Sequence, residues 1–282
     1  MSGKVKRYIF LFLAGVGLYG LYFGIMILLG QPLWVLLLVY TAIIAIFYFL
    51  NRSSIWALRG NYFYVMGHRA QAKVLLRKAV DAGTKSPSAY IYLALMAVQE
   101  DRNAKEAFAL LEKARKLSVS IVDERNALTT LASCHYLTGD TAKGIQVLED
   151  MRAKHEYTSA GVLTTLGYMY FTLGDFDKAT EFSHLAMEDD PAHGAAWDNM
   201  GQIYHKQGDL EAAKENFRTA LSKRENLVDS NYHLGLIYET EGNPDDAKEY
   251  FRRASICTVS VYNTVTDEMV KEKYDKYYGN NE

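Results

Sequence analysis

Residues 160–193 read AGVLTTLGYMYFTLGDFDKATEFSHLAMEDDPAH, residues 194–227 read GAAWDNMGQIYHKQGDLEAAKENFRTALSKRENL, and residues 228–261 read VDSNYHLGLIYETEGNPDDAKEYFRRASICTVSV. Set one under another, the three lines keep five positions in register at a spacing of 34. They are Gly167, Gly201 and Gly235; Tyr170, Tyr204 and Tyr238; Gly174, Gly208 and Gly242; Ala179, Ala213 and Ala247; and Ala186, Ala220 and Ala254. Self-similarity at a fixed period of this size marks a stack of helical hairpins, each burying its apolar face against its neighbours.

The residue types suit that reading. A glycine in mid-helix costs about 1 kcal/mol relative to alanine, so its return at Gly167, Gly201 and Gly235 points to a place where two helices approach closely. Ala179, Ala213 and Ala247 meet them from the second helix, and the tyrosines fill the space between. Gly174-Asp175, Gly208-Asp209 and Gly242-Asn243 suit the turn that joins the two helices of a unit. Spacing and residue types together resemble the tetratricopeptide repeat, with Pro191 at the family's usual closing proline and Glu225 and Val259 replacing it in the later units.

Worked backwards, the frame reaches the start of the soluble part. Trp56, Gly60, Phe63, Gly67, Ala72, Leu76 and Ala79 occupy the places of Trp197, Gly201, Tyr204, Gly208, Ala213, Phe217 and Ala220. Two degenerate units lie between, one carried by Leu93, Ala94, Ala107, Leu111 and Ala114, the other by Leu131, Ala132, Gly139, Gly144, Leu148 and Met151. About six units thus cover residues 53–261, and extra residues near Val119 to Glu124 predict a longer loop or a change of path. A polar helix from Thr266 to Tyr278, with Val265, Met269 and Tyr274 or Tyr277 on one side, reads as the solvating cap that such arrays need within the 262–282 tail.

The front end is of another kind. No acidic residue precedes Asp81, and after a basic tail at 1–7 the stretches 8–30 and 33–50 are almost wholly apolar. At 1.5 Å per residue they reach roughly 34 and 27 Å, enough for each to cross a hydrocarbon core, and Gly30-Gln31-Pro32 leaves room only for a tight turn. The expected fold is therefore all-α: an N-terminal two-helix transmembrane hairpin, a solenoid of about six tetratricopeptide-like units, and a capping helix. Lys4, Lys6 and Arg7 before the first span and Arg52, Arg59 and Arg69 after the second place both ends in the cytoplasm by the positive-inside rule. Asn51-Arg52-Ser53 matches a glycosylation acceptor but lies against the bilayer, and reads instead as a helix cap. Gly17, Gly20 and Gly24 share one face of the first span, a small-residue surface for packing against Thr41, Ala42 and Ala45 of the second span or against another membrane protein.

Several chemistries find no support. Cys134 and Cys257 lie in different repeats, far from any paired-cysteine spacing, and the seven histidines form no metal-binding pair. No nucleophile elbow, phosphate loop or dinucleotide fingerprint occurs, so neither enzymatic activity nor a cofactor is expected. With the three basic residues before the first span set aside, 28 Lys and Arg face 33 Asp and Glu. That acidic balance argues against nucleic acid as a partner.

The resemblance implies that the first helix of each unit lines a concave groove. The frame then puts Tyr168, Phe171, Asp198, Asn199, Gln202, His205, Tyr232 and His233 on its wall, beside Thr130, Tyr136, Thr164, Asp229 and Glu239. Such an aromatic and amide-rich surface suits a peptide or protein partner. The family's basic clamp for a carboxylate tail is not kept: its cationic places hold Ala57 or Thr164 and Asp229 with His233. A neutral or mildly basic peptide near Asp198, Asp229 and Glu239 is expected instead. The chain reads as a membrane-anchored, multi-pass adaptor that tethers a weak groove in two dimensions. Two alternatives stay open: an accessory subunit of a membrane enzyme or transport complex, with specificity in the hairpin, and self-assembly through the repeat ends.

Overall fold

The computed structural model describes residues 17, 20–22, 24–25, 27–30 and 32–279. From residue 33 onward thirteen helices follow one another: α1 Leu33–Val65, α2 Arg69–Asp81, α3 Pro87–Gln99, α4 Ala104–Arg115, α5 Ile121–Leu137, α6 Thr141–His155, α7 Ala160–Leu173, α8 Phe176–Asp189, α9 Gly194–Gln207, α10 Leu210–Lys223, α11 Val228–Thr240, α12 Pro244–Ser255 and α13 Asp267–Tyr278. The last part of α1 pairs with α2, and α3 with α4, α5 with α6, α7 with α8, α9 with α10 and α11 with α12, while α13 packs on α12. These are the six expected hairpins and the cap.

The repeated glycines sit where helices nearly touch. A Cβ built on Gly201 would lie 2.5 Å from Phe217 Cδ1, and one on Gly235 would lie 2.7 Å from Phe251 Cε1. Phe217 and Phe251 are themselves fully buried, so each glycine is the gap that a neighbouring ring fills. The turns also follow the sequence. Gly174 and Gly208 close their helices at φ 81° and 85°, a left-handed conformation that glycine adopts without a Cβ clash. The next residue caps the following helix: Asp175 accepts from Lys178 N–H and Asp209 from Ala212 N–H, each worth about 1 kcal/mol.

Three expectations need correction. Residues 51–54 do not cap a helix, because α1 runs through them without a break; Asn51 Nδ2 and an Arg52 guanidinium nitrogen donate back to the Phe47 and Phe49 carbonyls. The extra residues near 119–124 make little loop. Ser120 caps Asp123 N–H and starts α5, which at 17 residues takes the surplus into a longer helix. In the cap, Val270 is the residue of α13 that becomes buried, whereas Met269 is only partly covered.

Among the described residues, one helical stretch, Leu37–Val65 of α1, is long and apolar enough to cross a membrane. Its Leu37, Ile43, Phe47 and Leu50 are exposed. The expected first span, 8–30, lies mostly outside the described residues, so its pairing with α1 is not seen. At Gly17, Gly20 and Gly24 no described atom would approach an added Cβ within 4 Å, and Thr41, Ala42 and Ala45 are exposed.

Candidate functional site: a partly filled concave channel

The first helices α3, α5, α7, α9 and α11 supply the concave wall, and of the expected groove residues Tyr168, Asp198 and Asn199 line it. Most of them are not open to a partner. Tyr168, Asp198, Asn199, Gln202 and Tyr232 are all buried, and Phe171, His205 and His233 are partly buried. The exposure expected of them from the sequence frame is thus not found.

The cause is the connection between α12 and α13. Residues 256–266 do not pass directly from one helix to the next but fold back into the channel. The Ser260 carbonyl accepts from the Arg102 guanidinium at 3.0 Å, at the turn between α3 and α4. The Tyr262 hydroxyl lies 2.5 Å from Ser133 Oγ on α5, and its ring packs against Tyr136 and Tyr168 with centroids 5.6 and 5.7 Å away. Burial pushes the Tyr262 hydroxyl well above the ordinary phenol range. Through these contacts Tyr262 joins the apolar core of the first repeats to that of the middle ones.

The following residues satisfy Asp229. Its carboxylate accepts from Asn263 Nδ2 at 2.6 Å, from Val265 N–H at 2.9 Å and from Thr264 Oγ1 at 3.1 Å. Thr264 Oγ1 also meets Gln202 Oε1 at 3.0 Å. Gln202 Nε2 donates to Asp198 at 2.8 Å, and Ser230 Oγ donates to the same carboxylate. Asn199 Nδ2 donates to the Thr164 carbonyl at 2.9 Å, tying α9 to α7. Burial, with the Asp229 charge beside it, pushes Asp198 up to about 7. Burial also raises Asp229, against the donors that hold its ionised form.

Glu239 is taken in the same way by the cap, through Lys273, Lys276 and Tyr277, which hold its carboxyl down at about 2 against the effect of burial. Of the acidic residues expected to draw a neutral or basic peptide, Asp229 and Glu239 are therefore spent on the chain's own C-terminal segment, and Asp198 on Ser230 and Gln202 of the wall itself. His205 and His233 pack with ring centroids 4.8 Å apart at a tilt of 49°; burial lowers both, His233 down to about 3.

What remains open is the other side of the channel, with a volume of about 530 Å3. Repeat 3 contributes Arg125, Asn126 and Thr129, repeat 4 contributes Ser159, Gly161, Thr164 and Thr165, and repeats 5 and 6 contribute His193, Ala195, Asn226 and Val228; Arg224, at the end of α10, and Tyr262 complete the wall. The sequence reading named Thr130, Thr164, Tyr168, Asp198 and Asn199 among the lining residues and missed Arg125, Arg224 and the whole Tyr262 segment. A signal was present: Thr258 to Thr266 reads TVSVYNTVT, nine uncharged residues between strongly charged helices.

Three family models match parts of the chain: tetratricopeptide repeat at residues 58–120 and 160–193, and TPR repeat at residues 201–242. No curated protein matches. Among solved structures, a chain of the APC/C hetero-tetramer Cut9-Hcn1 is similar at a TM-score of 0.59 and 17% identity, over 80% of this chain and 42% of that one. PilW, described as a widely conserved type IV pilus biogenesis factor, is similar at a TM-score of 0.55 and 19% identity, over 71% of this chain and 91% of its own. This chain thus spans less than half of the first relative. At these identities the likeness carries the fold alone, a tetratricopeptide-type α-solenoid.

Proposed function

We propose that this solenoid is a non-catalytic adaptor, anchored in a membrane by α1 and the apolar stretch before it, that holds a segment of a protein partner in the open half of its concave channel. The observation that carries the reading is the open pocket itself. It is a concave space of about 530 Å3, walled by the amides and hydroxyls of Asn126, Thr129, Thr165 and Asn226, with Tyr157 and Tyr168 as apolar floor. Backbone-pairing amides beside aromatic area suit an extended chain. The neighbouring half supports this reading, since the chain's own 256–266 connection lies there through polar contacts to Asp229 and Gln202.

Membrane anchoring rests on the length and apolar character of α1 and on the exposure of its large side chains. Because α1 continues into the first repeat without a joint, the solenoid would be held at the bilayer surface. Confinement of this kind raises effective concentration and lets a weak groove suffice.

A second reading is favoured by Leu58, Tyr62 and Val65, which stay exposed on one side of α1 at its C-terminal end, where the helix pairs with α2. In it, α1 and the first span contact a membrane complex and the repeats brace it. Co-purification from detergent-solubilised membranes separates the two. The adaptor reading expects the partner to be lost when Thr165→Trp blocks the pocket and kept when Leu58→Ala, Tyr62→Ala and Val65→Ala together strip the exposed face of α1. The bracing reading expects the reverse.

A further inference from the structure

The charges around the open pocket are one-sided. Arg125 and Arg224 both line it, and among the described residues neither takes part in an ion pair. Arg125 lies over the Tyr157 ring at 3.9 Å, and its buried Nε has no hydrogen-bond partner. Arg224 is exposed and uses Nε on Asn226 Oδ1 at 2.9 Å, which leaves the rest of its guanidinium towards solvent. The one acidic residue in the lining, Asp198, is buried and engaged by Ser230 and Gln202.

Two further features point the same way. The pocket is bordered by the starts of α9 and α11, whose capping residues His193 and Leu227 make no side-chain capping bond. Helix starts carry partial positive charge from their free N–H groups. The start of α7 shows the preference already met, since Asp189 Oδ2 accepts from Ala160 N–H at 2.6 Å. In addition Thr164, 8% exposed and part of the pocket wall, has a hydroxyl without any partner. A built polar wall with spare donors and no spare acceptor charge calls for an anion.

We propose that the pocket between Arg125 and Arg224 is an anion-selecting subsite that receives an acidic side chain, or a short run of them, from the partner's segment. This rests on the adaptor reading and adds the partner's chemistry to it. A guanidinium presents its donors in a planar fork matched to a carboxylate, and a charge-assisted bond is roughly twice as strong as a neutral one. A protein source is favoured over a lipid headgroup because no residue of α1, the membrane helix, lines the pocket. The preference is the reverse of the one that Asp198, Asp229 and Glu239 suggest when they are taken as exposed.

The test uses the full chain in nanodiscs of neutral lipid and a fluorescent Gly-Ser peptide carrying four glutamates, compared with the same peptide carrying four glutamines or four lysines. The glutamate peptide is expected to bind at least tenfold more tightly than the glutamine one. Arg224→Gln should remove most of that difference, Arg224→Lys should restore part of it, and added salt should weaken it. Arg224 is exposed, so these variants leave the core intact. Equal binding of the three peptides, no binding of the glutamate peptide up to millimolar concentration, or indifference to Arg224→Gln would overturn the proposal. So would binding of vesicles rich in phosphatidylserine, in place of the peptide, that depends on Arg224. If glutamate and glutamine peptides bind alike and both are lost on Thr165→Trp, the charge preference fails while the adaptor reading survives.

Discussion

The Asn263 side-chain amide donates to the Asp229 carboxylate at 2.6 Å, and with that bond the last connection of the chain is fastened to the wall of its own channel. Asp229 is a buried acid, and buried carboxylates persist when donors satisfy them. Asn263→Ala removes one of its donors and leaves Val265 N–H, Thr264 Oγ1 and a longer bond from Gln202 Nε2. The expected loss is about 1–3 kcal/mol of stability, read as a lower midpoint in urea. Limited proteolysis should then cut within 256–266 first. An unchanged midpoint and cleavage pattern would mean that the segment is not held by this bond.

The buried carboxylates also set a pH dependence. Asp198 is raised to about 7 by burial and by Asp229, so the folded state holds its proton more tightly than the unfolded chain, whose carboxyl titrates near 3.8. Its stabilising contribution is complete below about pH 4 and is lost as pH rises through about 7. The depressed histidines His193, His205 and His233 change stability in the opposite sense as pH falls, so wild type alone does not isolate the effect. The difference in Tm between wild type and Asp198→Asn does, because the histidines are common to both. That difference should move against wild type by on the order of a few degrees between pH 5 and pH 8. Parallel profiles would contradict the assignment.

Gly201 and Gly161 are both helical glycines with opposite surroundings. A methyl at Gly201 meets the Phe217 ring at 2.5 Å, whereas one at Gly161 meets nothing within 4 Å. Gly201→Ala is expected to cost about 1–3 kcal/mol through overpacking, more than its gain in helix propensity. Gly161→Ala should be neutral or stabilise by up to about 1 kcal/mol. Chemical denaturation of the two variants side by side checks this.

That contrast shows what the sequence makes legible. Close approach at Gly201, the turn at Gly208-Asp209 and the six hairpins follow from contacts between residues a few tens of positions apart, which repeat with the period and so leave a mark in it. The channel's filling does not. Ser260 meets Arg102 and Tyr262 meets Ser133 across 158 and 129 residues, through a connection that occurs once and therefore has no periodic signature. Exposure of Tyr168 and Asp229 was inferred from the frame alone, and one non-repeating loop reversed it. The break in helix expected at 51–54 failed for a different reason, since polar side chains there bond to their own helix and let it continue.

The cap is expected to be essential for solubility. Removing residues 267–282 strips Val270 and Tyr277 from α12, leaving Phe251 open and Glu239 without Lys273 and Lys276. The truncated chain in detergent should melt at least several degrees lower and self-associate, as read by scanning calorimetry and size exclusion. Unchanged melting and particle size would show that α13 is dispensable.

The central claim is that a partner lies in the open half of the channel, and site-specific photo-crosslinking in intact membranes tests it most directly. A photoreactive phenylalanine analogue is placed at Thr165 on the pocket wall and, as a control, at Glu181 on the exposed side of α8. The account predicts a discrete protein adduct from Thr165 that is absent from Glu181 and is lost when Arg224→Gln is added. An adduct formed only from an exposed α1 position such as Leu58, with none from Thr165, would contradict it and place recognition on the membrane helix.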